Sequence, residues 1–291
     1  MKVTSVSLLQ RLLSRHGLQP KKRLGQHFLV DAVVLDRIVD AIDPEPGETV
    51  LEVGPGAGAL TVRLAERGCR VIAVELDTAL KPVLARVLES HAGVEVWWSD
   101  IMQVQPSRLR ADKIVGNLPY YLTSPLLFRL LKPGVPAKKL VFMVQEEVAD
   151  RITAAPGTKD YGVLTVVCAY RGRPERVIRV SPGSFWPQPE VHSAVISLSL
   201  FPPREDPGSG DVLFFSTVET AFSQRRKTLA NNLRQAGLEK GLVLQVLKEA
   251  GIEPARRGET LTVDEFRSLS SAIASVLPGA TLRPPGRSAK L

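Results

Sequence analysis

The sequence predicts an α/β protein with a doubly wound sheet, followed by a small all-helical domain. Three observations support this prediction: a strand that runs into a glycine-rich turn and then a helix near position 55, polar side chains at the ends of the strands that follow, and purely helical patterns after position 210. A hydrophobic content of 44% and a charged content of 23% are ordinary for a soluble globular protein. No apolar run approaches the length of a membrane span, which argues against an integral membrane protein.

The charge distribution suggests a neutral core with basic ends. Residues 1–30 carry a net charge of +6, residues 31–201 carry −1 and residues 202–291 carry +3. Such a partition favours a catalytic core flanked by elements that bind a polyanion. We predict the following five segments: a basic N-terminal arm with a short helix (1–30), an α/β domain (31–201), a linker (202–210), a helical domain that can bind a polyanion (211–277) and a flexible tail (278–291).

Cysteine usage points to the cytoplasm. Cys69 and Cys168 lie in apolar or strand-like contexts without the spacing of metal ligands, so we expect reduced, structural thiols and no metal site. The serine- and arginine-bearing, acid-free N-terminus leaves a transit peptide as the second interpretation.

The chain begins with an amphipathic pattern over 4–17, where Leu8, Leu9, Leu12 and Leu13 share one helical face. A basic and glycine-bearing stretch follows over 21–29. In it Gly25 permits a turn, and the next two residues, Gln26 and His27, can reach a polar ligand. Phe28 and Leu29 then anchor the arm on an apolar surface. A helix over 31–43 comes next.

Four successive predicted strands end in residues suited to a nucleoside. The strand at 49–53 runs into Gly54-Pro55-Gly56-Ala57-Gly58, where glycines let the backbone approach a ligand closely. The strand at 70–74 ends at Glu75, which can accept hydrogen bonds from ribose hydroxyls. The strand at 94–99 ends at Asp100, which can accept from an adenine amino group while Ile101 packs on the ring. The fourth strand leads to Asn117.

The stretch from Asn117 to Tyr120 has the composition of a base-binding pocket. Asn117 offers a side-chain oxygen, and Pro119 fixes the backbone so that the carbonyls of Asn117 and Leu118 can face the pocket. Tyr120 adds a flat π-face. This combination suits a planar group with an exocyclic amine, such as adenine or cytosine.

The remaining segments complete the sheet and the helical domain. Residues 161–170 fit either a helix or a strand, and Phe185, in a proline-rigid loop, is placed to face the same pocket as Tyr120. Arg225, Arg226 and Lys227 put three cations beside one helix, where they can flank a phosphate backbone. The other predicted elements are a strand at 139–144, a helix ending at 152, strands at 177–180 and 191–200, and helices near 213–224, 226–235, 240–250 and 262–276.

These residues together resemble the ribosomal RNA adenine N6,N6-dimethyltransferases over about residues 21–233, and a helical domain is expected to continue to about 277. The motifs that carry the resemblance are K-R-L-G-Q-H-F-L at 22–29, L-E-V-G-P-G-A-G-A-L-T at 51–61, the Glu75 tip, Asp100-Ile101, G-N-L-P-Y-Y at 116–121, F-W-P-Q-P-E-V-H-S-A-V at 185–195 and F-S-Q-R-R-K-T-L at 222–229.

The resemblance implies a Rossmann-like class I methyltransferase sheet and S-adenosyl-L-methionine as cofactor. It implies dimethylation of two adjacent adenosines near the 3′ end of 16S rRNA by a cytoplasmic monomer that acts in ribosome biogenesis. The implied cofactor-binding residues are His27, Leu29, Gly54, Gly56, Gly58, Glu75, Leu76, Asp100, Ile101 and Asn117. The implied target-base residues are Asn117, Leu118, Pro119, Tyr120 and Phe185, and the expected RNA-binding residues are Lys21, Lys22, Arg23, Arg225, Arg226 and Lys227.

Three alternatives stay open at this point. The first is a relative of the same fold that methylates large-subunit rRNA and confers antibiotic resistance; residues 145–147 and the R-R-K-T-L stretch favour the small-subunit branch. The second is an N-P-P-Y-type methyltransferase acting on DNA or glutamine, against which Leu118 argues. The third is a non-catalytic RNA-binding assembly or transcription factor, against which the intact glycines and acids argue.

The sequence departs from the pattern of the family that it resembles at His27, where many members carry asparagine.

Overall fold

A computed structural model describes residues 4–105, 109–131, 135–202, 209–277, 279 and 282 of the chain. The chain divides into two compact units. The first unit comprises Met1–Leu130, Gly134–Ala149 and Gly172–Pro202, and the second comprises Leu131–Pro133, Asp150–Arg171 and Pro203–Leu291.

This division corrects the predicted domain boundaries in one respect. The predicted α/β domain (31–201) includes residues 150–171, but these belong to the helical unit. The reason is that Tyr161, Val166 and Tyr170 are buried in one hydrophobic cluster with Leu213 and Phe214. Of the predicted linker, residues 203–208 lie outside the described residues, and Ser209 already begins a helix. The predicted tail lies outside them too, apart from 279 and 282.

The strands of the first unit, as far as it is described, form two sheets. Their bounds are β1 Phe28–Leu29, β2 Thr49–Val53, β3 Arg70–Glu75, β4 Val94–Trp98, β5 Lys113–Asn117, β6 Lys139–Gln145, β7 Gly172–Val180, β8 Phe185–Trp186 and β9 Ser193–Leu200. The larger sheet has the order β4-β3-β2-β5-β6-β9-β7. Its first five strands run parallel, and β9 and β7 join antiparallel. This mixed, mostly parallel sheet confirms the predicted doubly wound α/β class.

The helices of the first unit cover the sheet. Their bounds are α1 Val6–Arg15, α2 Ala32–Ile42, α3 Ala59–Glu66, α4 Lys81–Leu88 and α5 Thr123–Leu130, and α6 Glu146–Ile152 begins there. Leu35 and Ile38 of α2 are buried in one cluster with strand residues such as Val50 and Val141. Strands buried on both faces read as continuous apolar runs, which explains why the central strands are recognisable in the sequence.

The sheet order creates a single position where a ligand crevice is expected. The chain winds outward from β2 through β3 to β4, then returns to the other side of β2 with β5. Crevices in open α/β sheets form outside the carboxyl ends of the strands at such a reversal. Gly54 follows β2 there, and Asn117 ends β5.

The small sheet was not predicted. It pairs β1 antiparallel with β8, so that Phe28 lies opposite Trp186 and Leu29 opposite Phe185. Two-residue strands carry almost no periodic signal, and their partners are more than 150 positions apart. This pairing joins the N-terminal arm to the segment around Phe185 within the first unit.

The second unit is helical. Its further helices are α7 Val163–Arg171, α8 Ser209–Ala221, α9 Leu229–Gln235, α10 Lys240–Glu249 and α11 Val263–Val276. The segment 161–170, open between helix and strand in the sequence, is helical from Val163 onward, as part of α7. No helix in the described part of the chain is both long and apolar enough to cross a membrane.

Candidate active site

A cavity of about 210 Å³ lies in the first unit at the carboxyl ends of β2, β3 and β5, beside the end of β4. Its lining brings together nearly all of the residues predicted to bind the cofactor. Those in the lining are His27, Leu29, Gly54, Gly56, Glu75, Leu76, Asp100, Ile101 and Asn117. The tertiary structure therefore assembles side chains that are up to 90 positions apart in the sequence.

Gly58 is the exception, and its predicted role is corrected. It does not line the cavity. Gly58 has φ +84° and caps the start of α3, and a Cβ there would come within 3.1 Å of the side chains of Leu84 and Val87. Its glycine is therefore required for the left-handed turn and for close packing on α4, rather than for ligand contact.

Glu75 is fixed by two backbone donors. The Gly56 N–H donates to Oε2 (3.1 Å) and the Asp77 N–H donates to Oε1 (2.8 Å). Burial raises the pKa of the Glu75 carboxyl above its usual value, and these backbone donors oppose that shift. A carboxylate oxygen has more than one acceptor site, so each oxygen can accept one further hydrogen bond from a ligand in the cavity.

Glu52, in the middle of β2, is a cavity residue that sequence reasoning missed. It is 2% exposed and lines the cavity, and its Oε2 meets no hydrogen-bond donor among the described residues. Burial, with the nearby Glu75 charge adding to it, raises the pKa of Glu52 to about 7. A sequence signal for this residue does exist: Glu52 is an acidic residue among the apolar residues 50–53, directly before the glycine turn.

The loop after β4 presents Asp100 and Ile101 to the cavity. Oδ1 of Asp100 accepts from the Met102 N–H (2.8 Å), and Ile101 is buried. Arg129 of α5 holds the same loop, because its guanidinium donates to the carbonyls of Met102 and Val104. The loop thus has a fixed geometry beneath any ligand that Asp100 contacts.

Asn117 has a defined amide orientation. Its Nδ2 donates to the backbone carbonyl of His27 (2.9 Å). A carbonyl can only accept, so the contacting atom must be the nitrogen, and Oδ1 is left as the acceptor of the side chain. Next to it, the Leu118 N–H donates to the Met143 carbonyl (3.1 Å), which fixes the peptide between Asn117 and Leu118.

His27 is held by its own hydrogen bond. Nδ1 lies 2.7 Å from the Pro187 carbonyl, and since a carbonyl can only accept, Nδ1 carries a proton and donates it. The centre of the imidazole ring also lies 6.2 Å from the centre of the Tyr120 ring, and the two ring planes are nearly parallel, at 21°. His27 therefore places a hydrogen-bonding side chain at the cavity wall.

The expected pairing of Tyr120 with Phe185 is corrected. Phe185 is 3% exposed and belongs to the apolar core that contains Leu35 and Ile38, and it does not line the cavity. Its partner in the small sheet, Leu29, fixes it there. Tyr120 does not line the cavity either; it is partly exposed, and its hydroxyl lies 3.2 Å from Ser193 Oγ. The neighbouring Tyr121, 58% exposed, lines the cavity.

Two of the six predicted RNA-binding cations are engaged elsewhere. Lys21 forms an ion pair of 2.6 Å with Asp77, a buried carboxylate. Arg225 donates to the carbonyls of Lys159 and Tyr161 and lies 3.8 Å from Glu259. Arg225 is nevertheless exposed, as are Lys22, Arg23, Arg226 and Lys227.

The arrangement can bind a small organic molecule with hydroxyl and amino groups. Three carboxyl groups, from Glu52, Glu75 and Asp100, converge on one apolar-lined cavity beside the Asn117 amide.

No group of three or more metal-ligating side chains occurs among the residues that the structure describes. Both cysteines are buried and free, and burial raises the pKa of Cys168 to about 12.

Comparison with known proteins gives one consistent family. The family model described as ribosomal RNA adenine dimethylase matches residues 17–275. A protein of Geobacter metallireducens is 47% identical over 273 residues, covering 89% of this chain and 98% of that protein. A protein of Pelotomaculum thermopropionicum is 44% identical over 285 residues, covering 93% of this chain and 97% of that protein. Both relatives are named ribosomal RNA small subunit methyltransferase A.

Solved structures agree with the sequence relatives. A dimethyladenosine transferase from Plasmodium falciparum is 27% identical with a TM-score of 0.74, covering 86% of this chain and 98% of that one. The 23S rRNA methyltransferase ErmE is 28% identical with a TM-score of 0.65, covering 84% of this chain and 98% of that one. These are Rossmann-like methyltransferases, as the sheet topology predicted. With a family model matched over most of its length, the chain belongs to the ribosomal RNA adenine dimethylase family.

Proposed function

We propose that this protein transfers methyl groups from S-adenosyl-L-methionine to N6 of adenosines, dimethylating two adjacent adenosines near the 3′ end of 16S rRNA in the small ribosomal subunit. The observation that carries the proposal is the oriented amide of Asn117, whose nitrogen is used by the His27 carbonyl and whose oxygen stays an acceptor beside the cavity. Family membership supports the reaction type.

The cavity residues fit the proposed cofactor. Glu75 and Asp100 each keep acceptor capacity, for ribose hydroxyls and for an adenine amino group respectively. Glu52 offers a buried oxygen without a donor, and a cationic amino group would satisfy it and favour its charged form. When bound, S-adenosylmethionine supplies an electrophilic methyl group on a sulfonium.

The chain's own residues act on the adenosine amine by positioning it. The N6 lone pair is delocalised into the ring, so N6 is a poor nucleophile. Two acceptors, the Asn117 Oδ1 and the Leu118 carbonyl, would take both N6 hydrogens and favour a pyramidal nitrogen with its lone pair free. Such positioning in a water-poor site lowers the barrier without a strong base. The reacting adenosine has to leave any stack to reach the site, and Tyr120 offers it a ring face.

A small-subunit substrate is favoured over a large-subunit one. The relatives named for the small subunit are 40–47% identical to this chain over 89–95% of its length. The large-subunit enzyme ErmE is 28% identical. Against a non-catalytic role, Glu75, Asp100 and the Asn117 amide are each held by hydrogen bonds at the cavity.

The basic side chains that remain exposed would bind the rRNA backbone. Lys22 and Arg23 lie on the N-terminal arm, and Arg226 and Lys227 lie in the turn before α9. We propose that the helices after position 211 serve RNA binding, and that the protein works as a cytoplasmic monomer on assembling small subunits.

The decisive experiment is a methyl-transfer assay with four substrates. Purified protein and labelled S-adenosylmethionine are incubated with undermethylated small subunits, large subunits, naked 16S rRNA and DNA, and Asn117→Ala serves as the inactive control. We expect incorporation on the small subunit, as N6,N6-dimethyladenosine by mass spectrometry. Incorporation only on large subunits or DNA, or none on any substrate, would reject the proposal.

A further inference from the structure

The N-terminal arm is fastened at one end by a single buried carboxylate. Asp77 is 6% exposed, and its two oxygens receive two different arm side chains: Lys21 Nζ donates to Oδ1 (2.6 Å) and Gln26 Nε2 donates to Oδ2 (2.8 Å). Gln26 Oε1 in turn accepts from the Lys21 N–H (2.8 Å), which closes the segment 21–26 into a loop. We call this set of contacts the Asp77 latch.

Asp77 also belongs to the cofactor edge of the sheet. Its own backbone N–H donates to Glu75 Oε1 (2.8 Å), and its Oδ1 accepts from the Ala79 N–H (3.2 Å). The latch therefore connects the arm to the strand end that carries the predicted ribose-binding acid.

The other end of the arm reaches the target-base pocket. Gly25 lies in the left-handed region with φ +62°, and a Cβ there would meet Pro119 Cβ at 3.3 Å, so the arm and the N-L-P-Y loop are in close contact. Two residues on, the His27 carbonyl accepts the Asn117 amide (2.9 Å). Leu24, Gly25, Gln26 and His27 all line the cavity between these two ends.

We propose that Asp77 is a positioning residue for methyl transfer, which acts through the arm segment 21–27 to hold the His27 carbonyl and thereby the orientation of the Asn117 amide. The catalytic part of this inference rests on the proposed function. A shifted carbonyl would allow the amide to rotate, and a rotated amide presents NH₂ where the N6 amine needs an acceptor. Loss of the latch thus replaces an attractive contact with a repulsive one.

The variants separate this role from general stability. Asp77→Asn keeps the shape but removes the charge and faces Lys21 with an amide, and Lys21→Met removes the cation at similar length. Lys21→Arg is the conservative variant. Glu89→Gln is the matched control, because Arg86 and Glu89 also pair at 2.6 Å but both are more than 60% exposed and neither lines the cavity.

The first measurement does not depend on activity. Trypsin cleavage after Arg23, an exposed residue of the arm, is followed by mass spectrometry on the full chain. We expect Asp77→Asn and Lys21→Met to accelerate this cleavage about tenfold relative to wild type, with Lys21→Arg and Glu89→Gln within twofold. Unchanged cleavage in both latch variants would overturn the latch itself, whatever the protein's substrate proves to be.

The second measurement tests the route to Asn117. Single-turnover methyl transfer at saturating cofactor and RNA should fall about tenfold in Asp77→Asn and recover in Lys21→Arg. In an Asn117→Ala background, Asp77→Asn should cause no further loss, because the residue it positions is gone. A wild-type rate in Asp77→Asn at saturation, or an equal loss in both backgrounds, would overturn the positioning role. Inactivity of the wild-type protein would instead count against the proposed function, and the cleavage result would still stand.

Discussion

The Asn117 side chain donates through Nδ2 to the His27 carbonyl at 2.9 Å, a contact between residues 90 positions apart. This contact decides which end of the amide is available to a substrate. It also joins the N-terminal arm to the N-L-P-Y loop, so that two sequence motifs form one site.

Replacing Asn117 tests the proposed chemistry. We expect Asn117→Ala to lower the single-turnover rate about a hundredfold or more at saturating cofactor and RNA, while RNA affinity changes little. Asn117→Asp keeps an acceptor but cannot donate to the His27 carbonyl, so it should be impaired to a similar degree. A near-wild-type rate for the alanine variant in rapid-quench measurements would disprove the mechanism.

Glu52 predicts an unusual pH dependence of stability. Its pKa is about 7 in the folded protein against an ordinary value of 4.5, so between these values the folded state holds a proton that the unfolded state releases. The free energy of unfolding of the ligand-free protein should therefore fall as pH rises through this window, by up to about 3 kcal/mol from this group.

Glu52→Gln should remove that part of the slope. Urea unfolding at pH 5 and pH 8 provides the measurement, with the difference between wild type and variant as the quantity of interest. We expect the variant to gain stability relative to wild type at pH 8 and to bind S-adenosylmethionine more weakly. The same pH dependence in both proteins would refute a buried, protonated Glu52.

The burial of Phe185 changes the expected result of mutating it. Phe185→Ala should lower the free energy of unfolding by about 3–5 kcal/mol, because a large buried side chain is lost from the core. Any loss of activity should follow the loss of folded protein in thermal-melt and circular-dichroism measurements. A stable, inactive Phe185→Ala variant would show instead that the ring contacts the substrate.

Tyr120 is the aromatic residue expected to stack on the target base. Tyr120→Ala should reduce turnover on RNA, because it removes a stacking contact that contributes roughly 1–3 kcal/mol. Tyr120→Phe keeps the ring and loses only the contact with Ser193. Equal activity of the alanine and phenylalanine variants would rule out stacking on this ring.

The exposed cations predict the salt dependence of RNA binding. Neutralising Lys22 and Arg23, or Arg226 and Lys227, should weaken binding and reduce the slope of log affinity against log salt by about 0.7–0.9 for each lost phosphate contact. Arg86→Met serves as the control, since Arg86 is an exposed cation paired on α4. Filter binding over a range of salt concentrations gives the slopes, and wild-type slopes in both double variants would exclude these residues from the RNA contact.

The sequence by itself determined the fold class and most of the cavity. Buried parallel strands are continuous apolar runs, and the residue after each strand end stands at the same edge of the sheet, so Gly54, Glu75, Asp100 and Asn117 could be placed together without a structure. Local signals also located the helices after position 210, because amphipathic periodicity is written within each segment.

Only the tertiary structure decided which polar groups pair with each other. Lys21 and Arg225 carry the same charge as the cations next to them in the chain, and nothing local shows that Asp77 and Glu259 lie beside them. Phe185 turned into the core because Leu29, far away in the chain, pairs with it. The pKa of Glu52 is raised to about 7 because the folded chain buries this cavity residue. Each outcome depends on contacts between distant segments, which residue type and spacing along the chain do not specify.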